Sequence, residues 1–248
     1  MKLSPLSVLA VARELRRGKG VDVRPLGIAG ARELVPLLAR ELREGGLADS
    51  VVEQQLESVV ALIWVGEPDE AQLRTASRAG VPIIAVTDAP TVPYVLAEHV
   101  IRVPPGQGFP VDAIAAAVAA GLDERGAALA ARLPVLRPAV CKHLISLYSR
   151  RNAVIAAAVF IPGVDMPVLT LNQIRLVLWI ALAYGEDIDR RRAFELIAVV
   201  GVGFGFRAAA RELLDFVPFA GWTVKGAIAY TGTRAIGEAA VRYFEAMG

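Results

Sequence analysis

The 248-residue sequence has one cysteine, Cys141, and two histidines, His99 and His143. A single thiol forbids an intrachain disulfide and fits a reducing compartment. Three such residues are too few for the usual tetrahedral zinc site. Cys141 and His143 stand two apart in a helical pattern, where i and i+2 do not share a face, so a Cys–His nucleophile pair is not expected. No Lys-Ser or Lys-Thr pair occurs in the chain, which removes the phosphate-loop signature GxxxxGK followed by Ser or Thr. Gly18-Lys19-Gly20 lacks the hydroxyl that would ligate magnesium and reads as a solvated turn. Glu186, Asp187 and Asp189, the densest acidic group of the second half, stand before an expected helix start, where carboxylates favour the helix dipole. No cofactor, no metal and no catalytic set are therefore expected.

Long apolar runs are missing as well. The longest uncharged stretch of the most apolar region, Ala153 to Val164, has 12 residues, whereas a spanning helix needs about 20. Yet 55% of the residues are hydrophobic and the mean hydropathy is +0.49. Disorder is excluded and a single-pass anchor is not expected. The opening Met1-Lys2-Leu3-Ser4-Pro5 leads into a short helix closed by Arg16-Arg17 and lacks the layout of a secretory signal, so the expected location is the cytoplasmic side. Net charge is +2, but cutting after Arg125 leaves 13 basic and 16 acidic residues before the cut and 14 and 9 after it. A diffuse basic surplus in the second half does not make a nucleic-acid surface.

What is present differs between the halves. Val23–Ile28, Val59–Val65, Val81–Val86 and His99–Val103 read as strands, largely without polar alternation. Helical patterns separate them at Ala31–Arg43, with Leu34, Leu37, Leu38 and Leu42 on one face, at Asp69–Ala79 and at Val111–Ala120. Such strands imply a parallel sheet covered on both faces, a small three-layer α/β domain over residues 1–124. Ligands of such sheets gather beyond the strand carboxyl ends. The candidates there are the backbone amides of Gly27–Ala31 and the carboxylate of Asp88, which either reads a base or caps the segment Ala89–Leu96.

Residues 125–248 read as an apolar helical domain. Arg125–Pro134 is an expected connector and Val135–Ser149 an amphipathic helix ending at Arg150-Arg151. Ala153–Tyr184 reads as a helical hairpin with Asp165 at its tip, Thr170–Gln173 as capping box of its second arm and Gly185 as its stop. Arg150, Arg151 and Arg190–Arg192 would then lie at one end, as suits a loop dipping into a membrane from the cytoplasmic side or two core helices of a soluble bundle. Gly201, Gly203 and Gly205 lack the spacing of a dinucleotide fingerprint and suit close helix packing, with Phe204 and Phe206 at the segment's end. A last helix over Gly221–Phe244 carries a small-residue stripe, Gly226, Ala229, Thr233, Gly237 and Ala240, on which another helix could pack, including one from a second copy. Lys225 either snorkels beside Trp222 and Tyr230 or contacts an acidic lipid or phosphate.

The motifs MPVLTLNQIRLVLWIALAYG, ELIAVVGVGFGFRAAARELL and VPFAGWTVKGAIAYTGTRAIGEAAVRYF, between Met166 and Phe244, resemble a domain of unknown function of the YcjF-like membrane proteins. The same domain follows Era-like GTPase domains in other bacterial proteins. GEPDEAQLRTASRAGVPIIAVTDA is similar to the GTPase segment leading to the guanine-reading strand, whose Asn-Lys-x-Asp is absent, as is the phosphate loop. The resemblance implies a P-loop-NTPase-like α/β domain without its nucleotide machinery, joined to a domain at the cytoplasmic face of the membrane. The expectation is a non-catalytic membrane-associated accessory or scaffold, peripheral or partly inserted. Its contacts to lipid or a membrane protein would involve Arg150, Arg151, Phe204, Phe206, Trp222 and Lys225. The alternatives are a divergent NTP-binding enzyme and a soluble homodimeric scaffold.

Overall fold

A computed structural model of the chain describes residues 22–104, 106–158, 166–186 and 222–247. Among them the strands are β1 (Leu26–Gly30), β2 (Val51–Glu53), β3 (Ala61–Val65), β4 (Ile83–Thr87) and β5 (Val100–Arg102). All pair in parallel, in the order β2-β1-β3-β4-β5. The helices are α1 (Val35–Leu42), α2 (Glu70–Arg78), α3 (Val111–Leu122), α4 (Gly126–Arg132), α5 (Arg137–Ala158), α6 (Met166–Ala183) and α7 (Trp222–Glu245). The described residues fall into two compact units: 22–143 with Ala183–Gly185, and 144–158, 166–182, 186 and 222–247. The division falls inside α5, after His143, so α4 and the first turns of α5 group with the sheet.

The α/β unit is a doubly wound sheet. Every residue of β3 and β4 is buried, as the unalternating apolar runs require. The register aligns Ala29 with Trp64 and Ala85 on one face, where Leu73 and Ala76 of α2 pack with Val59, Val81 and Val92. It aligns Ile28, Ile63 and Ile84 on the other face. Right-handed crossovers in opposite directions from β1 and β3 place α1 and α2 on opposite faces. The chain order reverses between β1 and β3, the position at which such sheets open a crevice beyond their strand ends.

Several sequence expectations are corrected. The fifth strand, β2, has three residues on the sheet edge, too short for any periodicity to reveal. On α1 the buried face is Val35, Leu38, Ala39 and Leu42, while Leu34 and Leu37 are exposed; the i, i+3, i+4, i+7 set starts one residue later than the leucines suggest. The expected connector after Arg125 holds α4, whose sequence GAALAAR is rich in strong helix formers. α5 does not stop at Ser149 but runs through Arg150 and Arg151 to Ala158, because after Pro138 in its first turn no Gly or Pro interrupts it before Pro162. Thr170–Gln173 is not a cap: it lies inside α6, which begins at Met166 with Pro167 in its first turn.

The helical unit is an antiparallel arrangement. Asn152 of α5 donates its Nδ2 to the Leu169 carbonyl of α6 (3.4 Å) and accepts from Asn172 Nδ2 (2.8 Å). α7 runs against α5. A Cβ on Gly226 would lie 3.2 Å from the Ala153 carbonyl, and one on Gly237 would lie 2.5 Å from Ile145 Cγ1 and 3.1 Å from Leu176 Cδ2. Of the stripe, Gly226, Thr233, Gly237 and Ala240 are buried; α5 and α6 of the same chain occupy the face on which a second copy was expected. α6 ends as expected: Gly185 takes φ +82 and the Glu186 amide donates to the Ala181 carbonyl at 3.0 Å, the outer bond of a Schellman cap. Residues 159–165 and 187–221, with Asp165, Arg190–Arg192, Phe204 and Phe206, lie outside the described residues.

Candidate functional site

The carboxyl edge of the sheet is the first place where a ligand is expected. β1 is flanked by β2 and β3, so its amides serve the two ladders, and the Ala31 amide donates to the Val65 carbonyl at 2.8 Å. Of the Gly27–Ala31 amides proposed for a phosphate, that of Ala31 is thus bonded within the sheet, while the pairing of β1 with β2 ends at Ile28. Gly30 turns the chain at φ +119, and a Cβ there would sit 2.1 Å from the Val65 carbonyl oxygen. Gln54 Nε2 donates to the Gly30 carbonyl at 3.3 Å, and the Gly66 amide to the Val86 carbonyl at 2.9 Å. α1 starts without a side-chain cap, with Arg32 and Glu33 exposed before it.

Asp88 is exposed at the end of β4 and caps no helix, because none forms over Ala89–Leu96. Thr87 Oγ1 instead accepts the Ala89 amide at 3.1 Å. The loop is held by Arg102 Nη2, which donates to the Pro90 carbonyl at 3.0 Å. Asp88 thus stands in solvent at this edge.

His143 Nε2 lies 2.7 Å from Asp123 Oδ1, Cys141 is buried and outside any disulfide, and His99 is buried. No group of three His, Cys, Asp or Glu side chains that could hold a metal occurs among the described residues.

The helical unit presents a different kind of surface. The antiparallel packing brings the last turns of α5, the first turns of α6 and the first turns of α7 to one end. Val154 of α5, Val168 of α6 and Val224 of α7 are 67%, 46% and 42% exposed there. Arg150 and Arg151 are exposed one turn below Val154, and Lys225 is half-buried beside Val224. The Arg151 guanidinium lies 5.3 Å from the centroid of the Tyr148 ring. Trp222 opens α7. Among the described residues of 150–158, 166–172 and 222–229 the charges are Arg150, Arg151 and Lys225, all positive. Of the six residues expected to contact a membrane, Arg150, Arg151, Trp222 and Lys225 belong to helix segments at this end, and Phe204 and Phe206 lie outside the described residues.

Beneath this end lies a polar cluster that the sequence reading missed. Asn152 Nδ2 donates to Thr233 Oγ1 at 2.9 Å, Gln173 Nε2 reaches the same oxygen at 3.4 Å, and Asn172 bonds Asn152. Asn152 and Thr233 have no exposed surface. The available signal was an amide or hydroxyl in each of the three helices, but Thr170–Gln173 resembles a cap and Thr233 reads as one more small residue. Lower on α7, Arg234 donates to Glu238 Oε1 at 2.7 Å, and this bond holds its guanidinium above its ordinary pKa. Among the described residues no helix is long and apolar enough to cross a membrane.

The class defined so far is a doubly wound parallel α/β unit followed by an apolar helical unit. No protein-family model matches the chain, and the curated proteins return no match. Among solved structures, the chain aligns with a crystal structure from Silicibacter pomeroyi DSS-3 named provisionally as a phosphosugar isomerase. The identity is 13% over 69% of this chain and 77% of that one, at a TM-score of 0.28.

Proposed function

We propose that the protein is a non-catalytic accessory or scaffold associated with the cytoplasmic face of a bacterial membrane, its helical unit touching lipid or a membrane protein. On this reading the helical unit is a YcjF-like domain, and the α/β unit is a relative of Era-like GTPase domains that has lost the phosphate loop. The observation that carries the reading is the end of the helical unit, where exposed valines of three helices stand near Arg150 and Lys225. An apolar, positive surface is what the cytoplasmic leaflet attracts. The α/β unit supports the non-catalytic part, since the turn after β1 carries no GxxxxGK sequence and its Ala31 amide is bonded to the Val65 carbonyl.

Cell fractionation tests the association. The protein is expected in the membrane pellet and released from it by alkaline or high-salt washing without detergent, as befits a peripheral protein. Recovery in the soluble fraction at low salt would remove the membrane reading in favour of a soluble scaffold. Equilibrium binding of labelled GTP and ATP with magnesium tests the second part, and saturable micromolar binding would replace it with a divergent NTP-binding enzyme.

A further inference from the structure

We infer that the outer face of α1 is a contact between two copies of this chain, packed antiparallel about a two-fold axis. α1 lies on β1 and β2 and buries Val35, Leu38, Ala39 and Leu42. Its outer face carries Leu34 and Leu37, 38% and 46% exposed, with Glu33 and Arg40 exposed beside them. The turn before α1 continues the helical path, since Leu34 has φ −89 and ψ −32 and the Leu34 and Val35 amides both donate to the Ala31 carbonyl at 3.0 Å. Helical spacing therefore sets Glu33 and Arg40 on the same flank of Leu37, ~40° and ~60° around the axis, ~6 Å before it and ~4.5 Å after it. Neither has an ion-pair partner among the described residues. The charges select the occupant. A two-fold axis perpendicular to α1 reverses the second helix and keeps like flanks together, so Glu33 of each copy meets the partner's Arg40 while Leu37 meets the partner's Leu37 at the centre. A parallel arrangement would oppose Glu33 to Glu33 and Arg40 to Arg40. Arg32-Glu33 before the leucines and Arg40-Glu41 after them are their own complement in charge when reversed, so the surface that fits this face is the face itself. The contact involves neither the helical unit nor lipid. One helix pair buries less than a standard interface, which makes the dimer a transient one.

The experiment is sedimentation equilibrium of the full chain, with the fold of every variant checked by circular dichroism. The parent is expected to dimerise with a midpoint between about 10 and 500 μM. Glu33→Arg and Arg40→Glu should each raise the dissociation constant about tenfold, since either sets like charges together twice. Glu33→Arg/Arg40→Glu should restore it, and the two single variants mixed should pair with each other as the parent pairs with itself. Leu37→Gln should raise it at least about tenfold. Leu96 is 61% exposed beside β5, at the sheet edge away from α1, and Leu96→Gln should dimerise as the parent does. Cys141, the one native cysteine, is buried, so mild oxidation of Leu37→Cys with diamide should join two copies through residue 37, whereas Leu96→Cys should stay single. A parent that remains monomeric up to about 0.5 mM, association untouched by Leu37→Gln or by either charge variant, or a double variant no better than the singles would each overturn the inference.

Discussion

The two units place their polar and apolar groups in opposite ways. In the α/β unit the apolar residues are in the sheet and the polar groups at its carboxyl edge bond one another: the Ala31 amide to the Val65 carbonyl, the Gly66 amide to Val86, Thr87 to the Ala89 amide. In the helical unit an amide cluster is buried between three helices while valines and cations face outward at one end. Both units expose large apolar side chains, Leu34, Leu37, Leu47 and Leu96 in the first and Val154, Val168 and Val224 in the second, and in the second these belong to helix segments at one end. The apolar fraction of a chain therefore says little about membranes until its location is known, because a two-faced parallel sheet absorbs apolar residues that a short helix must expose.

Glycine offers the sharpest way to break this comparison. At Gly30 the obstacle to a Cβ is the Val65 backbone carbonyl at 2.1 Å, and φ is +119; neither can relax without opening the β1–β3 exit. Gly30→Ala should cost the α/β unit at least about 3 kcal/mol. At Gly237 the obstacle is the Ile145 side chain at 2.5 Å, which can rotate, and alanine gains about 1 kcal/mol of helix propensity. Gly237→Ala should cost the helical unit about 1 kcal/mol. Urea unfolding of single-tryptophan variants retaining Trp64 in β3 or Trp179 in α6 reads the units separately. Equal losses would mean that both close approaches are of one kind.

The buried cluster comes next in size. Asn152→Leu leaves the Asn172 amide and the Thr233 hydroxyl without their bonds to it and should cost about 2–3 kcal/mol, whereas replacing both partners as well, with Asn172→Leu and Thr233→Val, should return most of the loss. The Trp179 probe follows it. A neutral Asn152→Leu would show that the three helices are held by apolar packing alone, which would make the interior of the helical unit like that of the α/β unit.

What was legible in the chain follows the same division. The runs VVALIWV and VPIIAV announce β3 and β4 because a strand buried on both faces has no alternation to disguise. Gly80 and Gly185 marked their helix ends because both take positive φ. β2 was illegible since three residues carry no period. The helical unit was legible as helices but not in their bounds. Pro167, read as part of the break in the expected hairpin, stands in the first turn of α6, where proline starts a helix. Arg150 and Arg151 looked like a helix end because charge interrupts an apolar pattern, yet arginine is a good helix former. The end of the helical unit could not be assembled from sequence, since Val154, Val168 and Val224 are brought together only by the antiparallel packing of three helices.

Acid should separate the units by the smallest of these effects. Asp69 caps α2. Its Oδ1 accepts the Ala71 and Gln72 amides at 2.9 and 3.1 Å and its Oδ2 accepts from Gln72 Nε2 at 2.9 Å. These bonds, that of the Gln72 amide foremost, hold its carboxyl below the ordinary 3.8. The side-chain bond from Arg24 does the same for Asp22. Both carboxyls belong to the α/β unit. A carboxyl whose folded value lies below its unfolded one contributes stability that is complete above the unfolded value and disappears as pH falls through the folded one. Asparagine caps a helix nearly as well as aspartate and does not titrate in this range. The Trp64 transition of the parent should therefore weaken relative to that of Asp69→Asn as pH falls below about 4, and the difference should be constant between about pH 5 and 7. The Trp179 transition should be the same in both proteins throughout. An unchanged Trp64 difference down to pH 2 would mean that the Asp69 cap does not depend on its charge, and a matching shift at Trp179 would mean that the two units respond to acid as one.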